Sequence, residues 1–104
     1  MIPIEFIWVE GGQDVKLAGD FLGKWTQTMS MEQKSGVFRK TLKLRRGKYF
    51  YKFIVDGIWR CNPDFPQAVD SEGNLNNVID ISDPDRALRL VGLAGHNYSR
   101  EVIR

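Results

Sequence analysis

The feature that most constrains the fold is a run of aromatic and β-branched residues followed at once by a tight-turn dipeptide. The run covers Lys48–Val55, and Asp56-Gly57 separates it from Ile58–Arg60. Aromatic and β-branched side chains favour strands. Aspartate and glycine tolerate the positive φ that a two-residue hairpin turn requires. The sequence therefore predicts an antiparallel hairpin at this point of the chain.

Glycines and aspartates divide most of the remaining chain into short segments of alternating polarity, which is typical of an antiparallel all-β domain. Trp8, in the middle of the first predicted strand, is expected in the core. A polar loop is expected around residues 33–36. Residues 61–73 contain two of the four prolines and are predicted to be irregular. The further predicted strands cover about residues 4–9, 15–19, 27–31, 38–44 and 77–81.

The size and charge of the chain indicate one globular domain with no nucleic-acid-binding tract. It has 104 residues, and its 15 basic and 13 acidic side chains are interspersed, with a net charge of +2. Cys61 is the single cysteine, so no internal disulfide forms, and we expect a semi-buried thiol. We find neither a secretory signal nor a membrane-spanning apolar run. The expected location is the cytoplasm, or a plastid for a plant or algal protein, with no membrane partner.

Few side chains of this sequence could carry catalysis. His96 is the single histidine, and no local motif supports a Cys61–His96 pair. The sequence lacks a zinc-like Cys/His cluster, a G-x-S-x-G motif and a phosphate-binding glycine loop. We therefore expect that the chain is not an enzyme and has no metal or cofactor. Candidate carboxylates for glycoside hydrolysis lie in a polar loop where acidic residues are common, and they are Asp64, Asp70 and Glu72.

Two tryptophans at the ends of predicted elements indicate a sugar-binding surface. Trp25 closes a loop and Trp59 follows the predicted turn, where a large apolar side chain is hard to bury. An indole can stack on the apolar face of a glucose ring, and the buried area contributes about 2 kcal/mol. The sugar hydroxyls need amine and amide partners, and strand parity points Lys52 outward near Trp59. Asparagine also favours turns and a lone lysine is often only solvated. The amide candidates are Asn74, Asn76 and Asn77.

Three motifs in the same order along the chain give a more specific resemblance. Residues 47–59 (GKYFYKFIVDGIW) resemble the signature of the family 48 carbohydrate-binding modules. That family includes the glycogen-binding domain of the AMP-activated protein kinase beta subunit and is also found in plant starch-granule phosphatases. Residues 73–79 resemble its closing strand, and residues 15–21 with Trp25 resemble its opening motif.

The resemblance implies an immunoglobulin-like (early-set) β-sandwich over residues 1–82, followed by an extension over residues 83–104. Asp83-Pro84 predicts that a short helix begins this extension. The implied function is a non-catalytic module that binds α-1,4-glucan, including glycogen, amylose and cyclodextrin. Such a module would target an associated kinase or phosphatase, as a partner domain or subunit, to the polysaccharide.

The resemblance also assigns roles to individual residues. Trp25 and Trp59 would be the stacking platforms. Lys52 and Asn76 would bond sugar hydroxyls, with Asn74 as a weaker candidate. Two positions depart from the kinase-subunit pattern. Three residues instead of two separate Phe21 from Trp25, and Glu72 stands where the family has a leucine that reaches into the glucan.

Two other functions fit parts of the sequence. The same sandwich could be a protein-interaction module with lost or weakened glucan binding. The interleaved bases and aromatics of residues 48–52 could also bind single-stranded nucleic acid, although strand alternation explains this run more simply.

Overall fold

The computed structural model describes residues 1–22, 25 and 27–81, and the side chain of Leu22 is not described. Within these residues a single 3₁₀ turn, Asp20–Leu22, accompanies the strands, and no α-helix occurs. No helix of the described part is long and apolar enough to cross a membrane. The strands are β1 (Ile2–Trp8), β2 (Val15–Gly19), β3 (Thr28–Ser30), β4 (Glu32–Lys34), β5 (Val37–Leu44), β6 (Lys48–Val55), β7 (Ile58–Arg60), β8 (Gln67–Val69) and β9 (Leu75–Asp80).

Two antiparallel sheets form a sandwich around one core. The smaller sheet has the strand order β1-β5-β4. The larger sheet has the order β3-β2-β6-β9-β8. The short strand β7 pairs with the last three residues of β6, whereas β9 pairs with its first four. The prediction of an all-β sandwich is therefore confirmed.

Aromatic side chains from the two sheets meet in the core. Phe6 of β1 contacts Tyr51 of β6 edge-on at a centroid separation of 5.0 Å, and Trp8 contacts Phe53 at 5.1 Å. Trp8 is 2% exposed, as expected, and its Nε1–H donates to the carbonyl oxygen of Gly11 at 2.8 Å. Full burial of an aromatic side chain contributes about 2–3 kcal/mol, so these contacts hold the sheets together.

The strongest sequence patterns give the bounds of the strands most closely. The bounds of β2 and β6 agree with the prediction. Asp56 and Gly57 adopt φ of 50° and 84°, as the predicted hairpin turn requires. β1 covers Ile2–Trp8 rather than residues 4–9, and Ile7 is also buried, although its parity places it on the other side from Phe6. The side chain of Asn62 donates to the backbone carbonyl oxygen of Ile7 at 3.1 Å.

Two short strands were missed. Residues 33 and 34 of the polar loop expected around residues 33–36 belong to β4, which pairs with β5 through a tight turn at Ser35-Gly36. The stretch expected to be irregular contains β8 at the edge of the larger sheet. Neither strand has an alternating apolar pattern, because both lie at sheet edges and are largely exposed.

The remaining differences concern the ends of strands and the end of the chain. β3 is shorter than the predicted strand over residues 27–31. β9 begins two residues earlier than predicted and ends at Asp80. The helix predicted from Asp83 and the extension over residues 83–104 lie outside the described residues.

Candidate functional site

A groove of about 600 Å³ lies on the outward side of the larger sheet. It is lined by all five residues to which the family resemblance gives a sugar-binding role: Trp25, Lys52, Trp59, Asn74 and Asn76. The groove is further lined by Asp20, Phe50, Asp70, Ser71 and Glu72. Residues from the 3₁₀ turn, the loop that contains Trp25, three strands (β6, β7 and β9) and the β8–β9 loop therefore meet at one place.

The hairpin between β6 and β7 presents Trp59 to solvent. The left-handed turn at Asp56-Gly57 returns the chain so that Trp59 pairs with Ile54, on the side of β6 away from the core. The side chain is 47% exposed. Ile58, its neighbour on β7, lies on the opposite side of the strand and is 57% exposed. Only the indole of this pair lines the groove.

Trp25 lies next to Trp59 despite a separation of 34 residues along the chain. The two ring centroids are 6.4 Å apart, and the ring planes are tilted by 53°. Two adjacent apolar faces at such an angle suit a ligand that curves between them better than a flat one. The extra residue in the loop before Trp25, relative to the kinase-subunit pattern, does not keep this ring out of the groove.

The alternation of β6 places Lys52 in the groove. Tyr51 and Phe53 are buried in the core, so Phe50 and Lys52 take the outward side. Lys52 pairs with Ala18 of β2 on one side. On the other side the register Tyr51↔Asn77 brings it opposite Asn76. Lys52 therefore lies beside Asn76 and two residues along β6 from Ile54, the partner of Trp59.

Asp70 fixes the conformation of the loop that carries the two candidate amides. Its Oδ1 accepts the backbone N–H groups of Glu72 and Asn74, each at 2.9 Å. Its Oδ2 accepts Nδ2–H of Asn76 at 2.8 Å. The N–H of Asn74 is the main cause that lowers the pKa of Asp70 below its usual value.

Asn74 and Asn76 are accessible to different degrees. Asn74 is exposed, whereas Asn76 is 3% exposed and donates through Nδ2 to Asp70 and to the carbonyl oxygen of Asn74. Both of these bonds use Nδ2 of Asn76 and leave its Oδ1 out. The weaker sequence candidate, Asn74, is the more open of the two.

Asp20 forms another part of the wall of the groove. Its carboxylate accepts the backbone N–H of Phe50 at 3.2 Å. Partial burial raises the pKa of this carboxyl, and the hydrogen bond from Phe50 opposes the shift. No sequence pattern singled out Asp20, although strand parity, which placed Lys52 on the outward side of β6, also places Phe50 there.

Asn77, the third amide candidate, lies on the core side of β9 and is fully buried. Its Oδ1 accepts the N–H of Asn62 at 2.6 Å. Its Nδ2 donates to the carbonyl oxygens of Asn62, Phe65 and Pro66 at 2.9, 3.4 and 3.2 Å. Its interpretation as a sugar-binding amide is wrong, because the side chain holds the loop before β8 against the sheet.

The remaining candidates for catalysis or metal binding are Cys61, His96 and three carboxylates. Cys61 is partly buried, its Sγ donates to the carbonyl oxygen of Leu75 at 3.4 Å, and burial raises the pKa of the thiol. His96 lies outside the described residues. Asp70 and Glu72 line the groove but Asp64 does not. Within the described residues, no group of three or more His, Cys, Asp or Glu side chains could hold a metal ion.

Comparison with known proteins shows the family of the chain that carries this groove. Residues 2–87 match the family described as the glycogen recognition site of AMP-activated protein kinase. The chain is 38% identical over 82 residues to the phosphoglucan phosphatase LSF1, chloroplastic, of Arabidopsis thaliana. It is 40% identical over 80 residues to the 5'-AMP-activated protein kinase subunit beta of Schizosaccharomyces pombe. It is 43% identical over 76 residues to the protein PTST homolog 2, chloroplastic, of Arabidopsis thaliana.

These matches cover most of this chain but a small part of each relative. They include 77%, 77% and 73% of the chain, and only 14%, 26% and 14% of the respective relatives. The resemblance seen in the three sequence motifs is confirmed over the whole described sandwich. The chain belongs to the family of glycogen recognition domains of AMP-activated protein kinase.

Proposed function

We propose that the chain is a non-catalytic module that binds α-1,4-glucan and holds an associated kinase or phosphatase on glycogen or a starch-like polysaccharide. The observation that carries this proposal is the pair of tryptophan rings, 6.4 Å apart in one groove with Lys52. The relatives named as kinase beta subunits and as a phosphoglucan phosphatase support the choice of partner.

The chemistry of the groove fits an α-glucan. Each indole face can cover the apolar face of a glucose ring and contribute about 2 kcal/mol. Lys52 supplies a charged donor, and Asn74 and Asn76 supply amide groups for the hydroxyl rim. The tilt of 53° between the rings suits the curvature of an α-1,4-linked chain, including cyclic forms such as cyclodextrin.

The wider setting of the module is part of the same proposal. Residues 1–82 form the binding sandwich, and residues 83–104 form an extension beyond it. The module works without a cofactor, in the cytoplasm or, as the chloroplastic relatives suggest, in a plastid. Because the groove offers few contacts, the isolated chain binds weakly and favours long glucans with many equivalent sites.

The test compares the two large apolar residues of β7. Trp59→Ala is expected to weaken β-cyclodextrin binding about thirtyfold and to abolish retention on amylose, because about 2 kcal/mol of stacking is lost. Ile58→Ala, the control on the other side of the strand, should bind like the unaltered chain. The measurements are a calorimetric titration and affinity electrophoresis in amylose gels.

The outcomes separate the proposed function from the alternatives. Equal retention of Trp59→Ala and the unaltered chain would remove Trp59 from the site. If the unaltered chain shows no change with millimolar β-cyclodextrin, the protein-interaction function is favoured. For nucleic acid the structure offers less support, because the aromatics of residues 49–51 divide between the two sides of β6.

A further inference from the structure

The charges that line the groove are unbalanced. Among its described lining residues there are three carboxylates, from Asp20, Asp70 and Glu72, and a single amine, from Lys52. Asp20 comes from the 3₁₀ turn, and the other two carboxylates come from the loop between β8 and β9. The acidic groups therefore lie on two separate parts of the wall, around a ligand seated on the tryptophans.

We propose that these three carboxylates, the acidic wall (Asp20, Asp70 and Glu72), make the groove selective for neutral α-glucan segments. Segments that carry phosphate monoesters bind more weakly. The inference rests on the proposed glucan-binding function and names the substrate class of the same groove. A phosphate monoester carries a charge of about −1.5 to −2 at neutral pH, so carboxylates nearby repel it.

Neighbouring cations only partly offset the carboxylates. Lys48 lies over the ring of Phe50, with Nζ 5.6 Å from the ring centroid, at the border of the groove. Lys16, on the outward side of β2, pairs with Asp14 at 3.7 Å. Arg60 lines a different cavity, together with Trp8 and Glu10. Among the residues that the structure describes, the carboxylates of the groove therefore still outnumber its amines.

Hydrogen bonding keeps the charge of Asp70 in place. Backbone and side-chain N–H groups hold the pKa of this carboxyl below its usual value, so it is ionised at neutral pH. Glu72 is exposed and lines the groove, so its charge is in a position to distinguish neutral from anionic chains.

The expected discrimination is modest and depends on salt. A phosphate dianion about 7 Å from one carboxylate in a water-like medium is repelled enough to weaken binding on the order of fivefold. Screening reduces this effect, because the Debye length falls below about 8 Å above physiological ionic strength.

The experiment compares β-cyclodextrin with a β-cyclodextrin that carries one phosphate monoester on a primary hydroxyl. Both are titrated calorimetrically into the unaltered chain at about 20 mM and about 300 mM salt. We expect the phosphorylated ring to bind about fivefold more weakly at low salt and less than about twofold more weakly at high salt. The readout is the ratio of the two affinities, which cancels general changes in the groove.

Two variants test whether the acidic wall causes the difference in affinity between the neutral and the phosphorylated ring. Combined Glu72→Gln and Asp20→Asn substitutions should bring the ratio at low salt close to one. Glu32→Gln, an exposed residue on β4 of the other sheet, should leave it unchanged.

Each outcome decides one of the two proposals. Equal or tighter binding of the phosphorylated ring, or a ratio that the double variant does not alter, overturns the selectivity while glucan binding stands. Absence of binding to neutral β-cyclodextrin overturns the glucan-binding function, and the selectivity with it.

Discussion

The two sides of the larger sheet use the same strands for different purposes. On the core side, Tyr51, Phe53 and Asn77 are at most 1% exposed, and each side chain is fixed by packing or hydrogen bonds. On the outward side, Lys52 and Trp59 remain accessible and line a groove. Because successive residues of a strand point to opposite sides, neighbours in sequence can belong to the core and to the site. Substitutions on one side should therefore change stability, and substitutions on the other should change binding.

The adjacent asparagines of β9 give the largest expected contrast. Asn77→Ala should lower the free energy of unfolding by about 3 kcal/mol, because it leaves buried backbone groups of the loop before β8 without partners. Asn76→Ala should cost about 1 kcal/mol or less and weaken β-cyclodextrin binding instead. Urea denaturation followed by tryptophan fluorescence measures the first effect, and calorimetric titration the second. Similar losses of stability from the two variants would break the division between the sides.

Removal of one amine from each outward face gives a smaller contrast. Lys52→Met keeps most of the side-chain length and should weaken β-cyclodextrin binding about fivefold, because a charge-assisted hydrogen bond contributes about 1 kcal/mol after desolvation. Lys43→Met, on the outward side of the smaller sheet, is the matched control and should bind normally. Titration at constant ionic strength measures both. Equal weakening by the two variants would show that net charge, and not the groove, governs affinity.

The smallest effect concerns the acid dependence of the hairpin that carries Trp59. Asp56 accepts N–H groups of Asp14 and Gln13, which lower the pKa of its carboxyl below the usual 3.8. The Asp56 carboxyl therefore binds a proton more readily in the unfolded chain than in the folded one. The free energy of unfolding rises with pH between the lowered pKa and the usual value of 3.8. The stabilisation from the ionised Asp56 carboxylate is complete above the usual pKa and is lost as the pH falls through the lowered pKa.

Asp56→Asn tests this dependence because asparagine also tolerates the positive φ of the turn. The variant should show a shallower loss of stability below about pH 4 than the unaltered chain. Thermal unfolding at several acidic pH values provides the measurement, with Glu32→Gln as an exposed control. Asp70 contributes in the same direction and Asp20 in the opposite one, so part of the acid dependence remains. A slope unchanged by Asp56→Asn would contradict this account.

The sequence predicted the central part of the larger sheet well, because every local preference there agrees. The aromatic run of β6, the turn at Asp56-Gly57 and the alternation of β2 all favour the same pairing. Their parity also placed Lys52 on the outward side. The edge strands β4 and β8 were missed because their pairing is determined by neighbouring strands and not by their own residues.

The candidate site could be predicted where the type and position of a single side chain indicate a contact with a ligand. Tryptophans at element ends indicated the groove, whereas the supporting role of Asp70 depends on a loop conformation that a linear pattern does not contain. Asn76 and Asn77 are identical in type and adjacent in sequence, but strand parity distinguishes them, because Asn77 shares its side of β9 with the buried Ile79. Composition could not assign one to the groove and the other to the core.

The attachment of the Asp56-Gly57 turn has a consequence for the entropy of recognition. Asp56 bonds the β1–β2 connection through its carboxylate and its own N–H, which donates to the carbonyl oxygen of Asp14 at 2.8 Å. The arm that carries Trp59 is thus anchored at its tip before any ligand arrives. A binding surface that is ordered in advance loses little conformational freedom on association. The indole therefore acts as a preorganised platform, and more of its contact energy appears as affinity.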